Sequence, residues 1–111
     1  MGSWSEGHQV VDLEDLDRLR ALLAAGYDVE DDDGRGWTLL RHALDVEIDG
    51  HVQTGEPLTA DITALLLEYG ADPLRPFPGP ITWPPLVVAD RMGHWLAVQV
   101  MREHLARGPR T

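Results

Sequence analysis

Cysteine is absent from this chain of 111 residues. That excludes disulfide scaffolds, thiolate zinc sites, redox dithiols and thiol nucleophiles. Lysine is absent too: all nine basic residues are arginine, which reads as a compositional bias and not as mechanism. Serine occurs only at Ser3 and Ser5, and none of the histidines 8, 42, 51, 94 and 104 is paired with a nucleophile in a recognisable motif, so nucleophilic catalysis has no support. No apolar run approaches the roughly 20 residues of a membrane span. The start, Met1-Gly2-Ser3-Trp4-Ser5-Glu6, has neither the basic nor the apolar stretch of a signal peptide, so a cytoplasmic protein is expected. Phosphate-cradling loops are missing as well, since Gly34-Arg35-Gly36 lacks the lysine and is preceded by acids.

What is present is acid. Nineteen Asp and Glu against nine Arg give a net charge of −10. The charge is uneven: residues 1–72 hold 17 acids and 4 arginines, a balance of −13, and residues 73–111 hold 2 acids and 5 arginines, a balance of +3. A field this negative repels phosphate backbones, which argues against a nucleic-acid partner and for a basic protein. With 43% apolar and 25% charged residues, the length suits one globular domain or a short array of repeats.

Residues 1–14 carry little pattern; Trp4, Val10 and Val11 are expected to pack as an N-terminal cap. Leu16, Leu19, Leu22 and Leu23 then recur at helical spacing, with Asp15 and Asp17 at the favourable end of the helix dipole and Gly26 as C-cap. Asp28 to Gly36 reads as an acidic turn, plausibly a hairpin tip. A second helix opens near Thr38 on the stripe Leu40, Ala43, Leu44 and Ile48, with Gly50 as its stop and a loop from His51 to Leu58. Thr59 is expected to cap a third helix carrying Ile62, Leu65 and Leu66, which Gly70 ends. Six prolines between Pro73 and Pro85 impose an extended connection with a turn at Pro78-Gly79. A fourth helix holds Leu86, Val87 and Ala89, and a fifth runs from about His94 to Ala106 with Trp95, Val98, Met101 and Leu105 on one face. The tail from Gly108 to Thr111 is expected to fray.

The chain also repeats itself. Leu22-Leu23-Ala24-Ala25-Gly26-Tyr27-Asp28 matches Leu66-Leu67-Glu68-Tyr69-Gly70-Ala71-Asp72 at an offset of 44. Gly36-Trp37-Thr38-Leu39-Leu40-Arg41-His42-Ala43 matches residues 82–89 at an offset of 46. Near-equal offsets mean one unit copied, with small changes in the connection. Gly36, Thr38, Leu40 and Ala43, then Pro85, Leu86, Ala89, Gly93 and His94, and the twice-occurring Leu-Leu-x-x-Gly-x-Asp stand in the order of the ankyrin repeat, which this chain resembles over about residues 14–106. Leu39 stands where that family has proline, and Arg41 where it has histidine. The resemblance implies an all-α, ankyrin-like solenoid of stacked helix-turn-helix units with projecting hairpin fingers. The units are an outer helix with its acidic finger (15–36), a middle repeat with an insertion at 49–58 and a proline-rich finger (37–81), and a C-terminal repeat (82–107). The period of about 45 exceeds the family's roughly 33, and the first unit is expected to be truncated to its outer helix.

Three groups of side chains could carry function. If the second helix reaches Asp49, then His42, Asp45 and Asp49 share one face and Glu47 points elsewhere. With His51 they could hold a divalent cation for an enzyme or sensor, although no recognisable ligand motif accompanies them. The run Glu30-Asp31-Asp32-Asp33 fails the calcium-loop spacing and reads either as a solvated turn or as an acidic contact finger. Trp37 and Trp83 hold equivalent places, where the ankyrin resemblance implies a concave groove and hence partner anchors, the alternative being packing between adjacent fingers. His94 matches the family's Gly-His pair and is expected to be structural, and Trp95 to be core or cap. The favoured reading is a non-catalytic, monomeric protein-binding module with no cofactor and no bound metal. It would contact a basic partner through Asp31, Asp32, Asp33, Arg35, Trp37, His42, Asp45, Asp49 and Trp83, as an immunity protein covering a toxin's basic site or as an adaptor.

Overall fold

The computed structural model describes residues 4–107; residues 1–3 and the expected frayed tail at 108–111 lie outside the described residues. Within them the chain forms six α-helices and no strand: α1 (Glu6–Asp12), α2 (Leu16–Ala24), α3 (Leu39–Thr54), α4 (Asp61–Glu68), α5 (Pro85–Met92) and α6 (Trp95–Ala106). Consecutive helices pair as α1/α2, α3/α4 and α5/α6. Within the odd set α3 packs against both α1 and α5, and within the even set α4 packs against both α2 and α6. The protein is therefore two layers of three helices.

The odd helices start alike. A tryptophan (Trp4, Trp37, Trp83) precedes an extended N-cap residue each time: Ser5 at φ −61°, ψ 164°, Thr38 at −70°, 164°, and Pro84 at −71°, 166°. Thr38 accepts the Arg41 N–H at 3.2 Å, and α5 has Pro85 where a helix needs no N–H donor. The even helices α2 and α4 end alike. Gly26 and Gly70 sit at φ +100° and +99°, which lets the next N–H, of Tyr27 and Ala71, reach back to Leu22 and Leu66 at 3.0 Å each. A side chain at either glycine would be strained there.

One apolar cluster fills the space between layers. Val10 and Val11 of α1, Leu19 and Leu23 of α2, Leu39, Leu40 and Leu44 of α3, Leu66 of α4, Ala89 of α5 and Met101 of α6 all belong to it. A fully buried leucine contributes about 2 kcal/mol relative to an exposed one, so every hairpin is held by its neighbours.

Five expectations need correction. Residues 6–12 are helical, so the first unit is a complete hairpin and not a lone outer helix. The period-3.6 signal was hidden because α1 has seven residues, one of them a glycine and one a buried histidine. Gly50 does not stop the second helix and residues 51–58 are not a loop throughout: α3 runs to Thr54 and ends at Gly55, which takes φ +72°. Thr59 does not cap α4; Ala60 is its N-cap residue and makes no side-chain cap bond. The connections bearing the acidic and proline-rich runs hold turns and bends rather than strand hairpins. Trp95 opens α6 facing solvent, 64% exposed, and is neither core nor cap.

Candidate functional site

Two buried histidine centres sit on either side of α3. The first lies between α1 and α3. His8 and His42 face each other with Nδ1 atoms 2.8 Å apart, and both side chains are buried. His8 Nε2 lies 3.0 Å from the Asp31 carbonyl, and His42 Nε2 lies 3.3 Å from Asp12 Oδ1. Trp4 lies against both rings, with centroids 5.1 Å from His8 and 5.0 Å from His42. Burial, helped by the neighbouring His8, holds His42 below the ordinary imidazole value against the pull of Asp12 and Asp45.

The second centre joins α3, α4 and α6. Glu47 is completely enclosed. Its Oε2 accepts the N–H groups of Ile62 and Thr63 at 3.0 and 3.1 Å, and its Oε1 accepts the Thr63 hydroxyl at 2.7 Å and His94 Nε2 at 2.8 Å. His94 Nδ1 in turn accepts the Ala97 N–H at 3.1 Å. Glu47 thus serves from a neighbouring helix as the cap that Ala60 cannot supply. His94 is fully buried, and both its ring nitrogens are taken up by these bonds.

A hollow of about 400 Å³ opens over the first centre, lined by Trp4, Asp12, Trp37, His42, Asp45, Val46, Ile48 and Asp49. Of the expected contact residues, Trp37, His42, Asp45 and Asp49 are brought together here. Arg41 pairs with Asp45 at 2.8 Å and lies over the Trp37 ring at 4.3 Å. Asp49 accepts a bond from Gln53 at 3.0 Å. One arginine therefore answers three carboxylates, and the hollow is negative with two indoles in its wall. A larger groove of about 790 Å³ runs between the even helices, but an Arg20–Glu68 pair at 3.1 Å lies along it and Arg107 stands among its acids Asp17 and Asp61. Its charges have no consistent sign, so the smaller hollow is the better candidate.

The other expected residues lie elsewhere. Asp31 is turned into the fold: Ser5 donates to its Oδ2 at 2.6 Å, Tyr27 donates to the same oxygen, and the Asp33 N–H reaches Oδ1 at 2.9 Å. Burial alone would raise this carboxyl, but those bonds, with His8 nearby, outweigh it and hold Asp31 below its ordinary value. Burial and the bond to Asp31 raise the Tyr27 phenol. Asp32 caps the Gly34 N–H at 2.9 Å, and Asp33 sits 4.0 Å from Arg35 Nε. Glu30 accepts the Asp72 N–H at 2.8 Å and stands 3.7 Å from Arg75, which ties the first connection to the second. Burial still keeps Glu30 above its ordinary value. The acidic run is thus a hydrogen-bonded turn, which accounts for much of its charge without a partner. Arg35 lies over Trp4 at 5.3 Å. Trp83 stands outside the hollow, beside Phe77 and Arg75, with Arg91 over its ring at 4.0 Å.

The four-residue metal cluster does not assemble. His42 is engaged with His8 and Asp12, and exposed His51 bonds the Glu56 carbonyl. Among the described residues no group of three or more His, Asp or Glu side chains is arranged to hold a metal ion, and no described helix is long and apolar enough to cross a membrane. Ser5 donates to Asp31 directly and not through a histidine, which is not the order of a catalytic triad.

The residues missed in the sequence are Trp4, His8, Asp12 and Glu47 as members of these centres. One signal for the first two was available: Trp4-Ser5 stands 33 residues before Trp37-Thr38, so the tryptophan before each odd helix marks a third copy. No protein-family model, no curated protein and no solved structure matches this chain.

Proposed function

We propose that this chain is a non-catalytic binding module, an ankyrin-like stack of three helical hairpins that receives a basic segment of a partner protein in the hollow over α1 and α3. The reading is supported by two-layer packing, by the threefold recurrence of tryptophan before an extended cap, and by the duplicated ends of α2 and α4. The observation that carries it is the hollow itself, with Trp4 and Trp37 in a wall shared with Asp12, Asp45 and Asp49. Carboxylates steer a cation in, and the indole faces hold a guanidinium by cation–π contact. Arg35 and Arg41 of the chain itself lie 5.3 and 4.3 Å from the Trp4 and Trp37 ring centroids, so a partner guanidinium would have to share or displace these contacts. A toxin-neutralising immunity protein and an adaptor both use such a surface, and the cellular partner decides between them.

Calorimetric titration with a short arginine-rich peptide tests this. We expect binding that weakens as salt rises, and a loss of about tenfold in affinity for Asp45→Asn with Asp49→Asn, about 1.4 kcal/mol. Trp37→Ala should weaken it comparably and Trp83→Ala should leave it unchanged. Affinity and salt dependence that survive the Asp45 and Asp49 changes would overturn the reading.

A further inference from the structure

The His8–His42 contact sets a proton count. Three hydrogen bonds run through the two rings, and each needs one ring proton. The Asp31 carbonyl only accepts, so His8 Nε2 carries a proton. The Nδ1···Nδ1 contact at 2.8 Å holds one proton between the rings. The Asp12 carboxylate accepts, so His42 Nε2 carries the third. Two neutral imidazoles own only two ring protons. One of the three bonds is then empty: two lone pairs meet at Nδ1, or a lone pair faces Asp12 or the Asp31 carbonyl. Three protons, one net positive charge, complete all three bonds. Four protons place two N–H groups head to head across 2.8 Å, which no hydrogen bond tolerates.

The hydrogen bonds favour three protons, while burial works against charge on His42. Asp12 on α1, Asp45 on α3 and Asp31 on the connection between α2 and α3 supply negative charge, and the Trp4 ring lies against both imidazoles. Two cations stand close by: Arg41 pairs with Asp45 and offsets part of its charge, and Arg35 lies over the Trp4 ring. Tyr27 bonds Asp31 and the Gly7 N–H and stays neutral through the acid range.

We propose that His8 and His42 act as one proton-binding unit that is complete with three ring protons, and that a fourth drives α1 off α3, removes the Trp4 wall and so releases the hollow's basic ligand in acid. The proton count stands on geometry alone; the release rests on the reading of the hollow as a binding surface.

The test is long-range ¹⁵N–¹H correlation of the imidazoles in the full chain, followed from about pH 8 to about pH 4.5, with amide exchange of α1 measured alongside. We expect the two rings to titrate together in two steps, with α1 losing protection in the second. In His42→Gln, His8 should titrate in one step; His8→Gln is the mirror control should the first variant fold poorly. Rings that titrate independently in the native chain, or α1 protection unchanged through the second step, would overturn the proposal. The arginine-rich peptide is titrated over the same range. Its affinity should fall at least about tenfold across the second step, and His8→Gln, which lies outside the hollow's lining, should abolish that fall. Coupled rings and a loosened α1 with no peptide binding at any pH would sink the release step and the hollow reading but not the proton unit. Peptide binding with independent rings would do the reverse.

Discussion

The two buried histidine centres use the same residue type to opposite ends. Around Glu47 every bond has one assignment. His94 Nδ1 must accept from Ala97, so its Nε2 must donate to Glu47, and the carboxylate's two oxygens take four donors. No proton can be added or withdrawn without breaking a bond. Around His8 and His42 the number of bonds depends on how many protons the rings hold. The difference is topological. Glu47 joins three helices deep in the two-layer core, whereas the His8–His42 pair joins a seven-residue helix at the end of the stack to its single odd-layer neighbour. A fully satisfied buried network fixes a fold, and a network with a variable proton count gives it a place to open.

The largest effect should come from the fixed centre. Glu47→Gln replaces one acceptor oxygen by an NH₂ that points at donors, and should cost about 3–5 kcal/mol in urea unfolding. A loss below about 0.5 kcal/mol would erase the distinction between the centres. A smaller loss is expected at the support of the variable centre. Asp31→Asn weakens the bonds from Ser5, Tyr27 and the Asp33 N–H and should cost about 1–3 kcal/mol. Because Asp31 is held below its ordinary value of 3.8, its contribution is present above that pH and is lost as pH falls through the lower folded value, which Asp31→Asn should abolish.

The smallest effect separates the centres by pH. His42 is held below 6.5, so the folded chain takes its proton less readily than the unfolded chain. The resulting stability is complete above about pH 6.5 and is lost as pH falls through the lower folded value. Urea midpoints measured through this range should decline for the native chain and stay flatter for His42→Gln. An unchanged slope in that variant would place the acid sensitivity elsewhere.

Much of the all-α plan was legible. The leucine stripes of α2, α3 and α4, the glycines ending α2 and α4, and the proline-rich connection are local signals, and local chemistry decides them. The misses came where tertiary partners override local preference. α1 is too short for periodicity to show. Gly50 looked like a stop, but a helix interior tolerates glycine at about 1 kcal/mol, and Gly55 supplies the left-handed turn that ends α3. Glu47 read only as pointing away from the His42, Asp45 and Asp49 face, because its partners Ile62, Thr63 and His94 lie on α4 and at the cap of α6, 15 to 47 positions away. Trp37, His42, Asp45 and Asp49 were found together because one helix and its cap carry them, while Trp4 and Asp12 enter the same hollow from α1, whose existence had no strong local mark.

The most direct test of the account is to map the arginine-rich peptide on the native chain by amide and indole chemical-shift changes. The changes should concentrate at Trp4, Asp12, Trp37, Asp45 and Asp49 and fade with added salt. Changes centred on the groove between the even helices, around Arg20, Glu68 and His104, would contradict it.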